Sequence, residues 1–239
     1  MRVSTGTGVA ANLEGVNERI ARAAERSSRA ASDVTLVAVT KTVTPERIVE
    51  AIAAGVTHLG ENRVQEAEAK FAPVGRVPRD GLTLHLIGTL QRNKARRAAA
   101  LFDWVHTIDR PELAGALDSA VAKPLPVLLE VNMTAETSKS GVAPGDLPAL
   151  AGALAGCAHL QPLGLMTIAR LGATEAELRR TFVGLRGLLE RLRADYPGDW
   201  RHLSMGMTDD YEIAIEEGAT IVRLGRALFG ERDAGHATG

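Results

Sequence analysis

Residues 34–41 read Val-Thr-Leu-Val-Ala-Val-Thr-Lys, a short apolar run that ends in a lysine. The run has little alternation between apolar and polar residues, which is typical of a strand covered on both faces. A helical pattern follows over 45–54, where Thr44 can cap the helix and Pro45 suits its first position. A buried strand followed by a helix is the repeating unit of a parallel sheet, so this stretch predicts an α/β fold.

The same strand–helix order continues along the chain. The predicted strands are 34–39, 58–60, 84–87, 104–108, 127–131, 162–166, 202–204 and 220–224. The predicted helices are 45–54, 63–71, 91–101, 111–122, 144–154, 174–195 and 209–217. Eight such steps without a change in composition predict a single (β/α)8 TIM barrel domain over 1–239. A doubly wound open sheet is the alternative, because periodicity alone does not show closure.

The ends of several predicted helices carry their own signals. An amphipathic helix that contains Leu13 is expected to end near Ala31, after a loose tail over 1–10. Thr174 and Glu177 form a capping-box pattern. Gly55 and Gly218 follow helical segments, where a left-handed terminating residue is expected.

Composition describes an ordinary globular chain of 239 residues with 45% hydrophobic and 24% charged residues. The net charge of −1, with both signs mixed along the chain, favours neither a nucleic-acid nor a membrane partner. The single cysteine, Cys157, cannot form an internal disulfide, and the first residues lack an apolar stretch of signal-peptide length. These features predict a cytoplasmic protein.

Polar residues cluster where the predicted strands end, which is where parallel barrels place their active sites. They occur at 41, 61–63, 88–89, 109–110, 132–133, 166–167, 204–206 and 223–226. The six histidines show no metal-ligand spacing, so no metal is expected. No convincing Ser-His-Asp set is present, although sequence order does not exclude one.

Lys41 and the residues after the last two strands suggest the two ends of one ligand. A lysine that follows a buried strand can attack a carbonyl, although an isolated lysine at such a position is more often simply solvated. Ser204, Gly206 and Gly225 lie where barrels of this type commonly bind phosphate. A Schiff-base lysine and a phosphate cradle match the two ends of pyridoxal phosphate, although periodicity does not name the ligand.

The chain resembles the pyridoxal phosphate homeostasis protein family (the YggS/PROSC group) in seven segments. This family is related to the alanine racemase N-terminal barrel. The segments occur in the family's order and cover nearly the whole barrel. They are LVAVTKT at 36–42, HLGENRVQE at 58–66, HLIGTLQRNK at 85–94, VNMTAETSKSG at 131–141, GLMTI at 164–168, LSMGMTDD at 203–210 and VRLGRALFG at 222–230. Each segment is weak by itself, but together they are highly specific.

The resemblance implies pyridoxal 5′-phosphate as the cofactor and gives a role to each matching position. Lys41 matches the lysine that forms the internal aldimine, and Arg223 matches the arginine that faces the pyridine nitrogen. The remaining positions hold the phosphate or line the cofactor; they are Ser204, Gly225 and Arg226 for the phosphate, and Asn62 and Met166 for the lining. Two departures are Thr89, where the family commonly has histidine, and Arg226, where it commonly has threonine.

The resemblance favours a non-catalytic carrier in vitamin B6 homeostasis, with an amino-acid racemase as the alternative. A racemase on this barrel needs a second acid–base group, whereas Tyr196 and Tyr211 lie in predicted helices away from the strand ends. No appended second domain is expected beyond the barrel. Arg223 would leave the pyridine nitrogen unprotonated and the ring a weak electron sink. The expected partners are pyridoxal phosphate and its recipient enzymes, with no nucleic acid and no membrane, and the chain is expected to be a monomer.

Overall fold

A computed structural model of the chain describes residues 8–72, 75–134, 136, 140–196 and 198–230. Eight parallel strands form a closed barrel in sequence order. They are β1 (Thr35–Val39), β2 (His58–Glu61), β3 (Thr83–Leu86), β4 (Trp104–Ile108), β5 (Leu125–Glu130), β6 (Leu160–Met166), β7 (His202–Ser204) and β8 (Ile221–Leu224). Residues 35–38 of β1 pair in register with 221–224 of β8 and close the sheet. The predicted (β/α)8 barrel is confirmed, and the open-sheet alternative is wrong.

Helices surround the barrel in the part of the chain that is described. They are α1 (Val9–Arg26), α2 (Pro45–Ala53), α3 (Val64–Phe71), α4 (Ala95–Leu101), α5 (Pro111–Asp118), α6 (Leu147–Leu154), α7 (Glu175–Asp195), α8 (Tyr211–Glu216) and α9 (Arg226–Phe229). Single turns of 3-10 helix lie at Ala31–Asp33 and Arg92–Lys94. No helix of the described ranges is both long enough and apolar enough to span a bilayer.

The N-terminal helix differs from its predicted bounds at both ends. It begins at Val9, so residues 9 and 10 are helical and do not belong to the predicted tail, whose residues 1–7 lie outside the described chain. It ends at Arg26 and not near Ala31. Ser28 adopts a left-handed conformation with φ 56°, and the Arg29 N–H turns back to the Ala24 carbonyl at 2.9 Å. That turn ends the helix although the sequence pattern continues.

The predicted helix caps are confirmed in one case and wrong in another. The Glu177 N–H donates to Thr174 Oγ1 at 3.4 Å, and the Thr174 N–H donates to Glu177 Oε2 at 2.7 Å, which is the expected capping box. Gly55 and Gly218 have φ of 105° and 104°, as expected for glycines that terminate helices. Thr44 occupies the position before Pro45, but its side chain makes no capping hydrogen bond.

The barrel interior contains a small apolar layer separate from the main core. Val37, Leu128, Met166 and Ile221 pack together there, on four different strands, while the larger core lies between the strands and the helices. Gly164 on β6 allows a close approach of β7, because a Cβ at that position would lie 1.9 Å from the His202 carbonyl oxygen. Buried polar side chains, among them His85, His106, Ser204 and Arg223, accompany this layer on neighbouring strands.

Candidate cofactor site at the barrel mouth

Lys41 lies just beyond β1, and a buried ion cluster holds the residue before it. Thr40 Oγ1 donates to Glu61 Oε1 at 2.7 Å, and Lys70 Nζ donates to the Thr40 carbonyl at 2.7 Å. Lys70 Nζ also lies 2.8 Å from Glu61 Oε1. Burial raises the pKa of Glu61, and the Lys70 ammonium opposes that rise. The cluster therefore fixes the backbone next to Lys41 with charge-assisted bonds.

The residue after Lys41 is held by the same cluster. The Thr42 N–H donates to Glu66 Oε1 at 2.5 Å, and Lys70 Nζ contacts that same oxygen at 2.8 Å. Partial burial works against ionisation of Glu66, but the hydrogen bonds from Lys70 and Thr42 and the charges of Lys70 and Arg63 together outweigh it and lower the pKa of the carboxyl. Thr42 has a φ of 61°, a conformation that non-glycine residues adopt rarely. Both neighbours of the partly buried Lys41 are thus fixed in position.

Arg223 brings a buried positive charge to the interior end of β8. Its Nη1 donates to Ser204 Oγ at 2.7 Å, and its Nη2 donates to the Thr167 carbonyl at 2.9 Å. Desolvation lowers the pKa of Arg223 to about 10, although Asp210 and Glu130 favour the charged form. The guanidinium therefore stays protonated at neutral pH, and its other N–H groups have no hydrogen-bond partner within the described residues.

Glu130 is a buried carboxyl that the sequence analysis missed. It stands at the end of β5, two residues beyond Leu128 of the interior layer, and therefore on the same face of the strand. Its Oε2 atom is buried without a hydrogen-bond partner among the described residues. Burial raises its pKa to about 7, with a further contribution from Asp109 and opposition from Arg223. A charged residue ending an otherwise apolar strand was the available signal.

A line of histidines runs from the far end of the barrel to Ser204. His58 Nδ1 lies 2.9 Å from His85 Nε2, and His85 Nδ1 lies 2.9 Å from His106 Nε2. His106 Nδ1 lies 3.0 Å from Ser204 Oγ. His58 and His85 are thus hydrogen-bonded residues packed within the barrel, and their continuation through His106 was not predicted from the sequence. Burial lowers the pKa of His85 to about 3 and that of His106 well below its ordinary value.

The corner between β7 and β8 combines glycines with the start of a short helix. Gly206 has a φ of 95°, and a Cβ there would lie 2.7 Å from the Ala214 Cβ, so a side chain would not fit. Gly225 directly precedes α9. The Ala227 N–H reaches Thr208 Oγ1 at 3.4 Å. Thr208 was not proposed from the sequence, although its hydroxyl follows the glycine turn by two residues.

The structure brings most of the predicted site residues to one end of the barrel. Met166 is buried and pairs with Ser204 in the β6–β7 register. Asn62 follows β2, and its carbonyl oxygen would lie only 2.4 Å from a Cβ on Gly88. The exposed side chain of Arg226 forms an ion pair with Asp209, so only its backbone remains suited to a ligand.

Thr89, which like Arg226 departs from the family pattern, also lies at this end. Its Oγ1 is 2.8 Å from Ser140 Oγ, which links the loop after β3 to the segment after β5. The sequence Ser-Lys-Ser-Gly at 138–141 is typical of a loop, and its residues 138 and 139 lie outside the described chain. Gly141 has a φ of 110° beside Asn132, where a Cβ would lie 2.7 Å from the backbone nitrogen. Ser140 and Gly141 therefore lie beside the mouth.

Comparison with known proteins first defines the class of barrel. A family model described as alanine racemase, N-terminal domain, matches residues 12–233. The structure also resembles alanine racemase from Corynebacterium glutamicum with a TM-score of 0.67, covering 93% of this chain and 63% of that one. The identity there is only 17%, so that likeness concerns the fold alone.

Closer relatives define the family within that class. The pyridoxal phosphate homeostasis protein of Pseudomonas aeruginosa is 45% identical over 95% of this chain and 97% of its own length. That of Escherichia coli K12 is 42% identical over 94% and 97%. The structure of PipY from Synechococcus elongatus with PLP bound is 38% identical, with a TM-score of 0.81 over 93% of this chain and all of that one. The chain belongs to the pyridoxal phosphate homeostasis protein family.

Proposed function

We propose that this chain binds pyridoxal 5′-phosphate at the barrel mouth, with Lys41 as the Schiff-base residue, and carries the cofactor without efficient turnover. The observation that supports this best is the convergence of Lys41, Arg223 and the glycine corner on adjacent strand ends. Residue 37 of β1 pairs with Arg223 of β8, and Gly225 lies against Val39, with 3.5 Å between its would-be Cβ and the Val39 carbonyl oxygen. We propose that the Lys41 amine, the Arg223 cation and the glycine corner bind the two ends and the ring of one ligand.

The donor set fits the proposed cofactor. Arg223 is protonated and has N–H groups left over after its bonds to Ser204 and Thr167, so it can donate to an unprotonated ring nitrogen. Gly225 and the backbone of Arg226 supply N–H groups at the start of α9, and Ser204 supplies a hydroxyl. Asn62 and Met166 are proposed to line the ring. The cofactor would supply the aldehyde and the conjugated ring.

The Arg223 guanidinium supports a carrier over a racemase. A group that stays protonated cannot donate its proton to the ring, so the ring remains a weak electron sink. The side chains of the two tyrosines contact other elements. Tyr196 donates its hydroxyl to the Pro148 carbonyl at 2.9 Å, and the Tyr211 ring lies 5.6 Å from the Arg19 guanidinium on α1. Neither tyrosine is placed as a second acid–base group.

The relatives support the same interpretation by their names. Proteins 42–45% identical are named pyridoxal phosphate homeostasis proteins, and PipY has been solved with PLP bound. We propose the cofactor and its recipient enzymes as partners, and no nucleic acid or membrane. The monomeric state and the cytoplasmic location remain predictions from the sequence.

One experiment tests the proposal directly. Purified protein mixed with pyridoxal 5′-phosphate should develop a yellow absorption band that borohydride abolishes. Peptide mapping should then place the reduced adduct on Lys41. A protein that stays colourless, or an adduct mainly on Lys94 or Lys123, would contradict the proposal. Incubation of the loaded protein with L-alanine in deuterated water tests the carrier role, because turnover at about 1 per second or faster would mean an ordinary enzyme.

A further inference from the structure

The histidine chain His58–His85–His106 has no part in holding Lys41, yet it ends on a proposed cofactor ligand. It starts on β2, passes through β3 and β4, and crosses the interior to Ser204 on β7. His85 and His106 are buried, and His58 is half-buried. The chain thus connects the far end of the barrel with the mouth through three consecutive hydrogen bonds.

A chain of neutral imidazoles has only two hydrogen-bond directions. Each neutral ring carries one N–H donor and one acceptor nitrogen, so the proton position on one ring dictates that on the next. In the first direction the Ser204 hydroxyl donates to His106 Nδ1, and all three histidines carry their proton on Nε2. In the second direction His106 Nδ1–H donates to Ser204, and all three carry it on Nδ1.

The hydrogen bonds of Ser204 determine which of the two directions is favoured in the absence of ligand. Ser204 Oγ already accepts from Arg223 Nη1 at 2.7 Å. If it also accepts from His106, its own hydrogen has no acceptor among the described residues, and Ser204 is fully buried. Leaving a buried donor unpaired costs about 1–3 kcal/mol. His58 does not counter this preference, because solvent can serve either of its ring states.

We propose that the histidine chain positions the Ser204 hydroxyl and switches direction when a phosphate monoester enters the barrel mouth. Without ligand, Ser204 donates inward to His106, and the chain is in the Nε2–H state. A phosphate oxygen provides the missing acceptor, so the hydroxyl hydrogen turns outward and His106 donates in its place. The chain then shifts to the Nδ1–H state. This inference rests on the proposed function, in which Ser204 is a phosphate ligand.

Nitrogen NMR of protein labelled with 15N in histidine measures the switch, because protonated and unprotonated ring nitrogens resonate far apart. Spectra are recorded without ligand, with pyridoxal 5′-phosphate, and with pyridoxal, which lacks the phosphate. We expect Nε2–H rings without ligand and with pyridoxal, and Nδ1–H rings with the phosphorylated cofactor. The ring nitrogen signals of His159 and His202, which do not belong to the histidine chain, serve as internal references.

The absorption band measured on the same samples separates the two proposals. A band without a change of tautomer, or Nδ1–H rings before any ligand is added, overturns the switch and leaves the proposed function standing. Absence of the band contradicts the proposed function, and the switch with it.

Two variants test whether phosphate binding at Ser204 is coupled to the histidine tautomers. Ser204→Ala should make the histidine spectra insensitive to the cofactor. His106→Gln should reduce the preference for the phosphorylated over the unphosphorylated cofactor about two- to tenfold, as expected for one hydrogen bond between neutral groups. An unchanged preference in a folded His106→Gln protein would show that the chain is only a packing element, and the wild-type spectra decide the matter if that variant does not fold.

Discussion

Replacing Glu130 by glutamine should change the pH dependence of stability in a direction fixed by the structure. The carboxyl is buried above the interior layer, its Oε2 lacks a partner among the described residues, and its pKa is raised to about 7 from 4.5. Glutamine has the same shape and does not titrate. The comparison between the two proteins therefore isolates one ionisation in the barrel mouth.

The sign follows from the raised pKa of Glu130. The folded protein holds the proton up to about pH 7, whereas the unfolded chain releases it near pH 4.5, so the folded state binds more protons between these values. The stabilising contribution of the protonated carboxyl is present at low pH and is lost as the pH rises through 7. Between about pH 5.5 and pH 8.5 the loss corresponds to roughly 1.5 pH units, or about 2 kcal/mol at about 1.4 kcal/mol per unit.

Denaturant unfolding of the cofactor-free protein at those two pH values measures the effect. The stability of Glu130→Gln minus that of the wild type should be larger at the higher pH by about 2 kcal/mol. Glu190→Gln, the same change on the exposed face of α7, is the matched control and should show no comparable trend. A Glu130→Gln difference that stays constant within about 0.5 kcal/mol would refute the reasoning, since it would mean that Glu130 is already ionised in the folded protein.

Three further predictions concern the two ends of the site. Lys41→Ala should abolish the yellow band while leaving thermal unfolding nearly unchanged, and a band that persists would place the Schiff base elsewhere. Lys70→Met should destabilise the fold by about 3 kcal/mol, because it leaves Glu61 buried without its counter-ion, and adding Glu61→Gln should restore part of that loss in denaturant titrations. Ser204→Ala should weaken pyridoxal 5′-phosphate binding about ten- to a hundredfold and leave pyridoxal unaffected; equal losses for both ligands in paired titrations would indicate a purely structural role.

The strands were predictable because their patterns are local. Most of the buried strands read as short apolar runs. The patterns of β2 and β7 are weaker, yet the three-residue β7 was found at its observed bounds. Helix α9 was missed because four residues are too few to show a period. Closure of the barrel was inferred from the number of repeats, and only the pairing of β1 with β8 demonstrates it.

Candidate site residues were predictable from the sequence where they stand at the end of a strand. Their contacts were not predictable where the partner lies on an element distant in the sequence. Lys41 and Arg223 were proposed from their positions at strand ends, and the family resemblance implied the role of each. The partner of Thr40 is Lys70, thirty residues away on a helix, and no sequence period links the two. Glu130 and His106 point into the barrel, but an inward and an outward polar residue look the same in a sequence. Side-chain direction decides such roles, and it comes from the register of the whole barrel.

The distribution of charge in the barrel interior bears on the proposed binding of an anionic ligand. Arg223 is a permanent cation, whereas the histidines below it stay neutral because burial lowers their pKa values. Glu130 above it is only partly ionised near neutral pH. The Arg223 guanidinium thus lies beside neutral imidazoles, with the carboxyl groups of Asp210 and Glu130 acting on it. A fixed positive charge in this position favours an anionic ligand such as a phosphate monoester, in keeping with the proposed binding of pyridoxal 5′-phosphate.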